Sequence, residues 1–71
     1  MQYNYTAILE RGAENWSGYF PDVPGCVSTG DSKAELIANL KEALTLHLAG
    51  IEEDGEPTPK ATTEATLIEI G

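Results

Sequence analysis

The sequence feature that most constrains this chain is a rigid turn followed closely by a helix start. The run Pro21-Asp22-Val23-Pro24-Gly25 holds two prolines and one glycine. Each proline fixes φ at about −65° and removes a backbone donor, so a strand leading into Pro21 must end there. Gly25 permits the positive φ of a type II turn. Ser32 and Glu35 then form the S-x-x-E pattern that caps a helix, so we expect strand before the turn and helix soon after it.

Alternating residue types predict three antiparallel strands around this turn. Gln2 to Glu10 alternates two classes of residue and is rich in aromatic side chains, and Trp16 to Phe20 alternates again. The polar link between them, residues 11 to 15, has the length of a hairpin connection. Cys26 to Gly30 follows the turn as a short third strand. Three consecutive strands with short links form a meander.

A single apolar stripe predicts the helix that covers this sheet. From Lys33 onward, apolar residues recur at spacings of three and four. The helix ends either at Gly50 or at Gly55, and we favour Gly55 because Ile51 continues the stripe. The stripe consists of Leu36, Ile37, Leu40, Ala43, Leu44, His47, Leu48 and Ile51.

The last part of the chain predicts a fourth strand, because Thr66 to Ile70 alternates Thr66, Ile68 and Ile70 against Leu67 and Glu69. The resulting order, β-β-β-α-β, predicts an α+β fold in which a small antiparallel sheet carries one helix on one face. We expect residues 1–71 to form a single domain. So small a domain has a thin margin of stability, and its open strand edges favour a homo-oligomer, either a dimer or a tetramer.

Charge and composition limit the possible partners. Twelve acidic residues against four basic ones give a net charge of −8, which argues against direct nucleic-acid binding and favours a basic protein partner. The first residues lack a secretory signal, and no apolar run is long enough to span a membrane, so we predict a cytoplasmic protein without membrane contact. The single cysteine, Cys26, is expected to be a small core residue.

No group of residues indicates catalysis, and we predict a protein that is not an enzyme and binds no metal or other cofactor. A two-metal nuclease needs several carboxylates that converge on one site. His47 is the only histidine, and it lacks a neighbouring nucleophile or second ligand, which favours a structural role. Asp31 is better explained by the helix N-terminus, where a negative charge is favourable. The acidic residues are otherwise scattered over strand ends, loops and the outer face of the helix: Glu10, Glu14, Asp22, Glu35 and Glu42.

Five short motifs together match a known family over nearly the whole chain. They are Tyr3-Asn4-Tyr5, the run from Gly18 to Cys26, Thr29-Gly30-Asp31-Ser32, the helix centre from Asn39 to Leu44, and Pro57-x-Pro59. In these motifs the sequence resembles the HicB-like antitoxin family. The resemblance implies a partial RNase H-like fold and the antitoxin role in a type II toxin-antitoxin system. There, the antitoxin silences a small basic HicA-like toxin, which cleaves mRNA through a histidine.

Many members of this family carry a C-terminal DNA-binding domain, whereas this sequence stops soon after the predicted fourth strand. We therefore expect the short form of the family and no operator binding by this chain alone. The alternative to the antitoxin role is an orphan oligomeric module that regulates or binds a different protein without a toxin.

A partner-binding role is predicted for six residues. Aromatic side chains are frequent hot spots in interfaces. The acidic run at the helix end lies against the negative end of the helix dipole, and a locally unfavourable arrangement of this kind indicates a function. The predicted residues are Trp16, Tyr19, Asp22, Glu52, Glu53 and Asp54.

Overall fold

Three short strands and one long helix make up the regular structure. The computed structural model describes residues 3–71 and gives the strands β1 (Ile8–Arg11), β2 (Trp16–Tyr19) and β3 (Val27–Gly30), followed by the helix α1 (Lys33–Glu53). The sheet order is β1-β2-β3, and both neighbouring pairs are antiparallel. The predicted α+β fold and its meander are therefore confirmed. Within the described range no helix is long and apolar enough to cross a membrane.

The connection between β2 and β3 is a double turn with the expected geometry. The N–H of Val23 donates to the carbonyl of Phe20, and the N–H of Cys26 donates to the carbonyl of Val23, both over 3.1 Å. Gly25 has φ of +85°, as the third position of a type II turn requires. Val23 and Cys26 are buried, and burial raises the pKa of the Cys26 thiol. The turn therefore contributes side chains to the core.

The helix α1 begins and ends where the sequence predicts. The Ser32 hydroxyl accepts the N–H of Glu35 over 3.1 Å and caps the first turn. At the other end the N–H of Gly55 donates to Glu52 and that of Glu56 to Ile51, both over 3.1 Å. With φ of +73° at Gly55, these bonds form a Schellman motif. The choice of Gly55 over Gly50 as the end of the helix is confirmed.

Two glycines allow α1 to approach the sheet closely. A Cβ added at Gly30 would lie 2.5 Å from the backbone nitrogen of Leu36, and one at Gly18 would lie 2.9 Å from a methyl carbon of Leu40. Leu36 and Leu40 are buried at this contact. The helix packs mainly on β3 and, to a lesser extent, on β2. The core cluster consists of Phe20, Val23, Cys26, Leu36 and Leu40.

The first strand is shorter than predicted. Of the expected range, Gln2 lies outside the described residues, and Tyr3 to Ala7 do not join the sheet, which starts at Ile8. Because β2 stops before Pro21, the residues that precede Ile8 have no strand beside them to pair with. The predicted alternation is nevertheless correct, since the partly buried residues Tyr5, Ala7 and Leu9 pack against the core.

The predicted fourth strand is absent, because Thr66 to Ile70 pairs with no strand in residues 3–71. The chain before it is attached to the sheet end by side-chain hydrogen bonds rather than by a backbone ladder, and the chain beyond Thr63 is exposed. A second correction concerns Ile37, which is 50% exposed and not part of the core. Because α1 packs mainly on β2 and β3, Ile37 lies beyond the part of the sheet that the helix covers.

The close contact at Gly30 predicts that an added methyl group destabilises the fold at this position and not at Gly50. Gly30→Ala forces a methyl group into the backbone of Leu36, so we expect unfolding free energy to fall by about 2 kcal/mol or more. Gly50→Ala is the matched control, because its Cβ meets nothing within 4 Å and alanine favours a helix interior by up to about 1 kcal/mol. Urea denaturation of both variants tests the prediction, and equal effects would contradict it.

Candidate partner-binding surface

The residues predicted to bind a partner lie on different parts of the molecule. Trp16 is half-buried at the start of β2 and packs against the core, whereas Tyr19, at the other end of β2, faces away from the helix and is 42% exposed. Asp22 lies in the double turn, and residues 52 to 54 lie at the end of α1. Trp16 therefore lies at the opposite end of β2 from Tyr19 and apart from the other predicted partner-binding residues.

The strand pairing and the direction of α1 bring Tyr19, Asp22 and the end of α1 to one end of the sheet. Ile8 pairs with Tyr19, so the start of β1 lies beside the end of β2 and the turn that contains Asp22. The helix starts at the opposite end, after β3, and runs back toward the turn. Tyr3 confirms the direction, because its hydroxyl donates to Glu52 over 2.7 Å. Asp22 and the end of α1 therefore share one end of the molecule.

The acidic end of α1, which we define as Glu52, Glu53, Asp54 and Glu56, is exposed throughout. The last turn of the helix contains no basic residue, so the negative end of the helix dipole is not compensated there. The hydrogen bond to Glu52 raises the pKa of the Tyr3 phenol, because it is made by the protonated form. This surface attracts positively charged groups.

Asp22 binds the later part of its own chain. One carboxylate oxygen accepts the backbone N–H groups of Thr62 and Thr63 over 2.9 and 2.8 Å, and the other accepts their hydroxyls over 3.2 and 2.6 Å. The hydroxyl and then the N–H of Thr63 contribute most to lowering the pKa of Asp22. We call this arrangement the Asp22 clasp. The geometry favours a structural role for the carboxylate that sequence reasoning did not foresee.

Two side chains near the N-terminus reinforce the Asp22 clasp. The Tyr5 hydroxyl donates to the carbonyl of Pro59, and the Thr6 hydroxyl donates to the carbonyl of Thr63 over 2.8 Å. Residues 59 to 63 are thereby fastened to the end of the sheet. Because these contacts join side chains to a segment that is distant in sequence and irregular in structure, no periodic pattern in the sequence indicates them.

An apolar row crosses the face of the sheet that the helix leaves uncovered. Ile8 pairs with Tyr19, and Tyr19 pairs with Val27, so these three side chains lie side by side on the outer face. Val27 is 64% exposed. An exposed tyrosine between two aliphatic residues has the composition of an interface anchor. We call Ile8, Tyr19 and Val27 the outer row.

Comparison with known protein families identifies the family of this chain. The model of the HicB-like antitoxin of bacterial toxin-antitoxin systems matches residues 5–69. The chain belongs to the HicB-like antitoxin family. The residues brought together at the acidic end of α1 and the outer row are therefore surfaces of a HicB-like domain. In residues 3–71 no three His, Cys, Asp or Glu side chains are grouped so as to hold a metal ion, and His47 is half-buried on α1.

Individual relatives agree with this assignment. The HicB-like chain is 36% identical to a UPF0150 protein of Synechocystis over 59 residues, which is 82% of this chain and 75% of that protein. It is 40% identical over 57 residues, or 80% of its length, to an uncharacterized 14.9 kDa protein of Haemophilus phage HP1, of which the match spans only 43%. A chain of the HicA3 and HicB3 toxin-antitoxin complex superimposes with a TM-score of 0.71 at 30% identity, covering 84% of this chain and 70% of that one.

The Asp22 clasp predicts a pH-dependent attachment of residues 62 and 63. Because its hydrogen bonds lower the pKa of Asp22, the clasp contributes fully above the ordinary value of 3.8 and is lost as pH falls through the lower value of the folded chain. We expect the amide resonances of Thr62 and Thr63 to titrate together with a midpoint below that ordinary value. Nuclear magnetic resonance measures this directly.

A substitution separates the clasp from a general charge effect. Asp22→Asn should speed hydrogen exchange at Thr62 and Thr63 at neutral pH, since a neutral amide oxygen accepts the two N–H groups less strongly than the carboxylate oxygen that now accepts both. Glu14→Gln removes the same charge from the hairpin loop and should leave both amides unchanged. Slow exchange retained in Asp22→Asn would show that the clasp does not hold this segment.

Proposed function

We propose that the chain is the antitoxin of a type II toxin-antitoxin pair and silences a small, basic, HicA-like toxin by covering its RNA-binding surface. The observation that carries this proposal is the likeness to a chain of the HicA3 and HicB3 complex at 30% identity over 84% of the present chain. The net charge of −8 supports it, because an RNA-cleaving toxin must present cationic groups to phosphate.

Inhibition in this proposal is steric and electrostatic, with no chemical step supplied by this chain. Cationic groups that bind RNA phosphates would meet carboxylates of the acidic end of α1 instead, so RNA and antitoxin would exclude each other. Long-range attraction accelerates such an encounter more than it tightens the final complex. The uncompensated charge at the helix end is suited to this first step.

Tight binding needs apolar anchors besides charge, because most binding energy in interfaces comes from a few well-packed side chains. The outer row offers one in Tyr19, which is exposed at the centre of the uncovered face. Trp16 is less suited, since its side chain already packs against the core. The proposal therefore assigns the first electrostatic contact with the toxin to Glu52, Glu53 and Asp54. It assigns the stability of the final complex to Tyr19.

The proposal is tested by co-expressing the tagged chain with a small basic HicA-like toxin and measuring both complex formation and RNA cleavage. A stoichiometric complex in which cleavage is lost supports the antitoxin role. A HicA-like toxin that neither binds the chain nor loses activity in its presence would overturn it. Recovery of the chain only as a self-associated species would instead favour the orphan oligomeric module.

Association kinetics separate the two surfaces. Replacing Glu52 and Glu53 by Gln and Asp54 by Asn should slow association with the toxin by about tenfold at low salt and flatten its salt dependence. The matched control removes the same charge elsewhere, through Glu14→Gln, Glu35→Gln and Glu42→Gln, and should change the rate less. Equal rates for the two triple variants would exclude a specific role for the acidic end of α1.

Truncation of Tyr19 should affect the dissociation of the complex rather than its association. Tyr19→Ala is expected to leave the association rate nearly unchanged and to raise the dissociation rate by about tenfold or more, as truncation of an aromatic hot spot does. Because Tyr19 is exposed, the fold should tolerate the change, which circular dichroism verifies. An unaltered dissociation rate would remove the outer row from the interface.

A further inference from the structure

The last residues of the chain form an exposed apolar segment with the pattern of a strand. Leu67 is 100% exposed, and Ile68 and Ile70 are 79% and 91% exposed. We call Thr66 to Ile70 the tail strand. Adjacent large apolar residues are seldom left in water without a partner, and such a group marks an interaction site. The Asp22 clasp fixes the chain at Thr63, so the tail strand departs from a defined place on the domain.

One edge of the sheet is free to accept such a strand. The N–H of Phe20 donates to Cys26, so by the alternation of antiparallel ladders the residues of β2 that bond to β1 are Ser17 and Tyr19. Leu9 and Arg11 on β1 then direct their backbone groups outward. At the opposite edge the carbonyl of Thr29 already accepts the side-chain amide of Asn39 over 2.9 Å. The β1 edge is therefore the more open of the two.

An apolar groove lies beside this edge, where α1 does not cover the sheet. Its volume is about 300 Å³. Ile37, which is 50% exposed, belongs to its lining, and Lys41 provides a positive charge there. We call it the β1 groove; its other apolar lining residues include Ala7, Leu9, Leu40 and Leu44. A strand added to β1 would place every second side chain over this groove.

We propose that the tail strand of one copy binds the β1 edge of a second copy, with its apolar side chains in the β1 groove, and that the reciprocal contact closes a dimer. The two elements are complementary, because the β1 groove is lined mainly by apolar side chains and one face of the tail strand presents Ile68 and Ile70. Because each copy has both elements, a two-fold arrangement satisfies both at once. In the single chain, the tail strand lies outside the groove.

Light scattering over a dilution series of the 71-residue chain tests the exchange. Ile68→Asp together with Ile70→Asp should weaken dimerisation by about a hundredfold or more without lowering the helix content, because both side chains are exposed in the single chain. Ile37→Asp, in the groove, should weaken it as well. Leu46→Asp is the matched control: Leu46 is 68% exposed on α1 but does not line the groove, so the dimer should persist.

Mixing distinguishes exchange between chains from folding of the tail strand onto its own chain. A chain with the tail changes Ile68→Asp and Ile70→Asp keeps an intact groove, whereas Ile37→Asp keeps an intact tail. The mixture should form a heterodimer through one restored contact, although each variant alone is monomeric. A monomer whose tail amides are protected from hydrogen exchange would overturn the proposal, as would a monomer with unprotected tail amides or a dimer that tolerates the tail changes.

Discussion

The contact between Gly30 and Leu36 determines where the helix lies, and the exposed surfaces follow from it. A side chain at Gly30 would reach within 2.5 Å of the Leu36 backbone, so the first turn of α1 rests directly on the end of β3. Gly18 gives a similar close approach on β2. With the helix held on that side, β1 is left with little cover. The open β1 groove and the exposed position of Ile37 are consequences of this offset.

The length of the helix relative to the sheet explains the position of the acidic end. Strands of four residues span about 13 Å, whereas a helix of 21 residues spans about 31 Å. The last turns of α1 must therefore extend beyond the sheet, and they are supported by contacts from irregular segments, such as the bond from Tyr3 to Glu52. A projecting helix end with exposed carboxylates and no basic residue in its last turn is accessible to a large partner, whereas the same residues over the sheet would not be.

Local patterns were sufficient for the elements whose partners are adjacent in sequence. The double turn, the cap at Ser32 and the helix end at Gly55 each depend on a few neighbouring residues, and the structure agrees with the sequence at all three. The Asp22 clasp joins residues about 40 positions apart through side chains, so no local rule indicated it. The start of β1 was missed for a related reason, since it is set by where β2 ends and not by the alternation of residues 3 to 7.

The tail strand shows the limit of alternation as a predictor. Alternation at Thr66 to Ile70 describes a segment able to pair, but pairing also requires an edge, and the sequence does not say in which molecule that edge lies. The net charge of −8 opposes self-association unless opposite charges meet locally. Two of the four basic residues, Arg11 and Lys41, lie at the β1 edge and the β1 groove, while the acidic end of α1 has none in its last turn. This uneven distribution keeps positive charge beside the surface that receives the tail strand and leaves the acidic end of α1 to attract a basic partner.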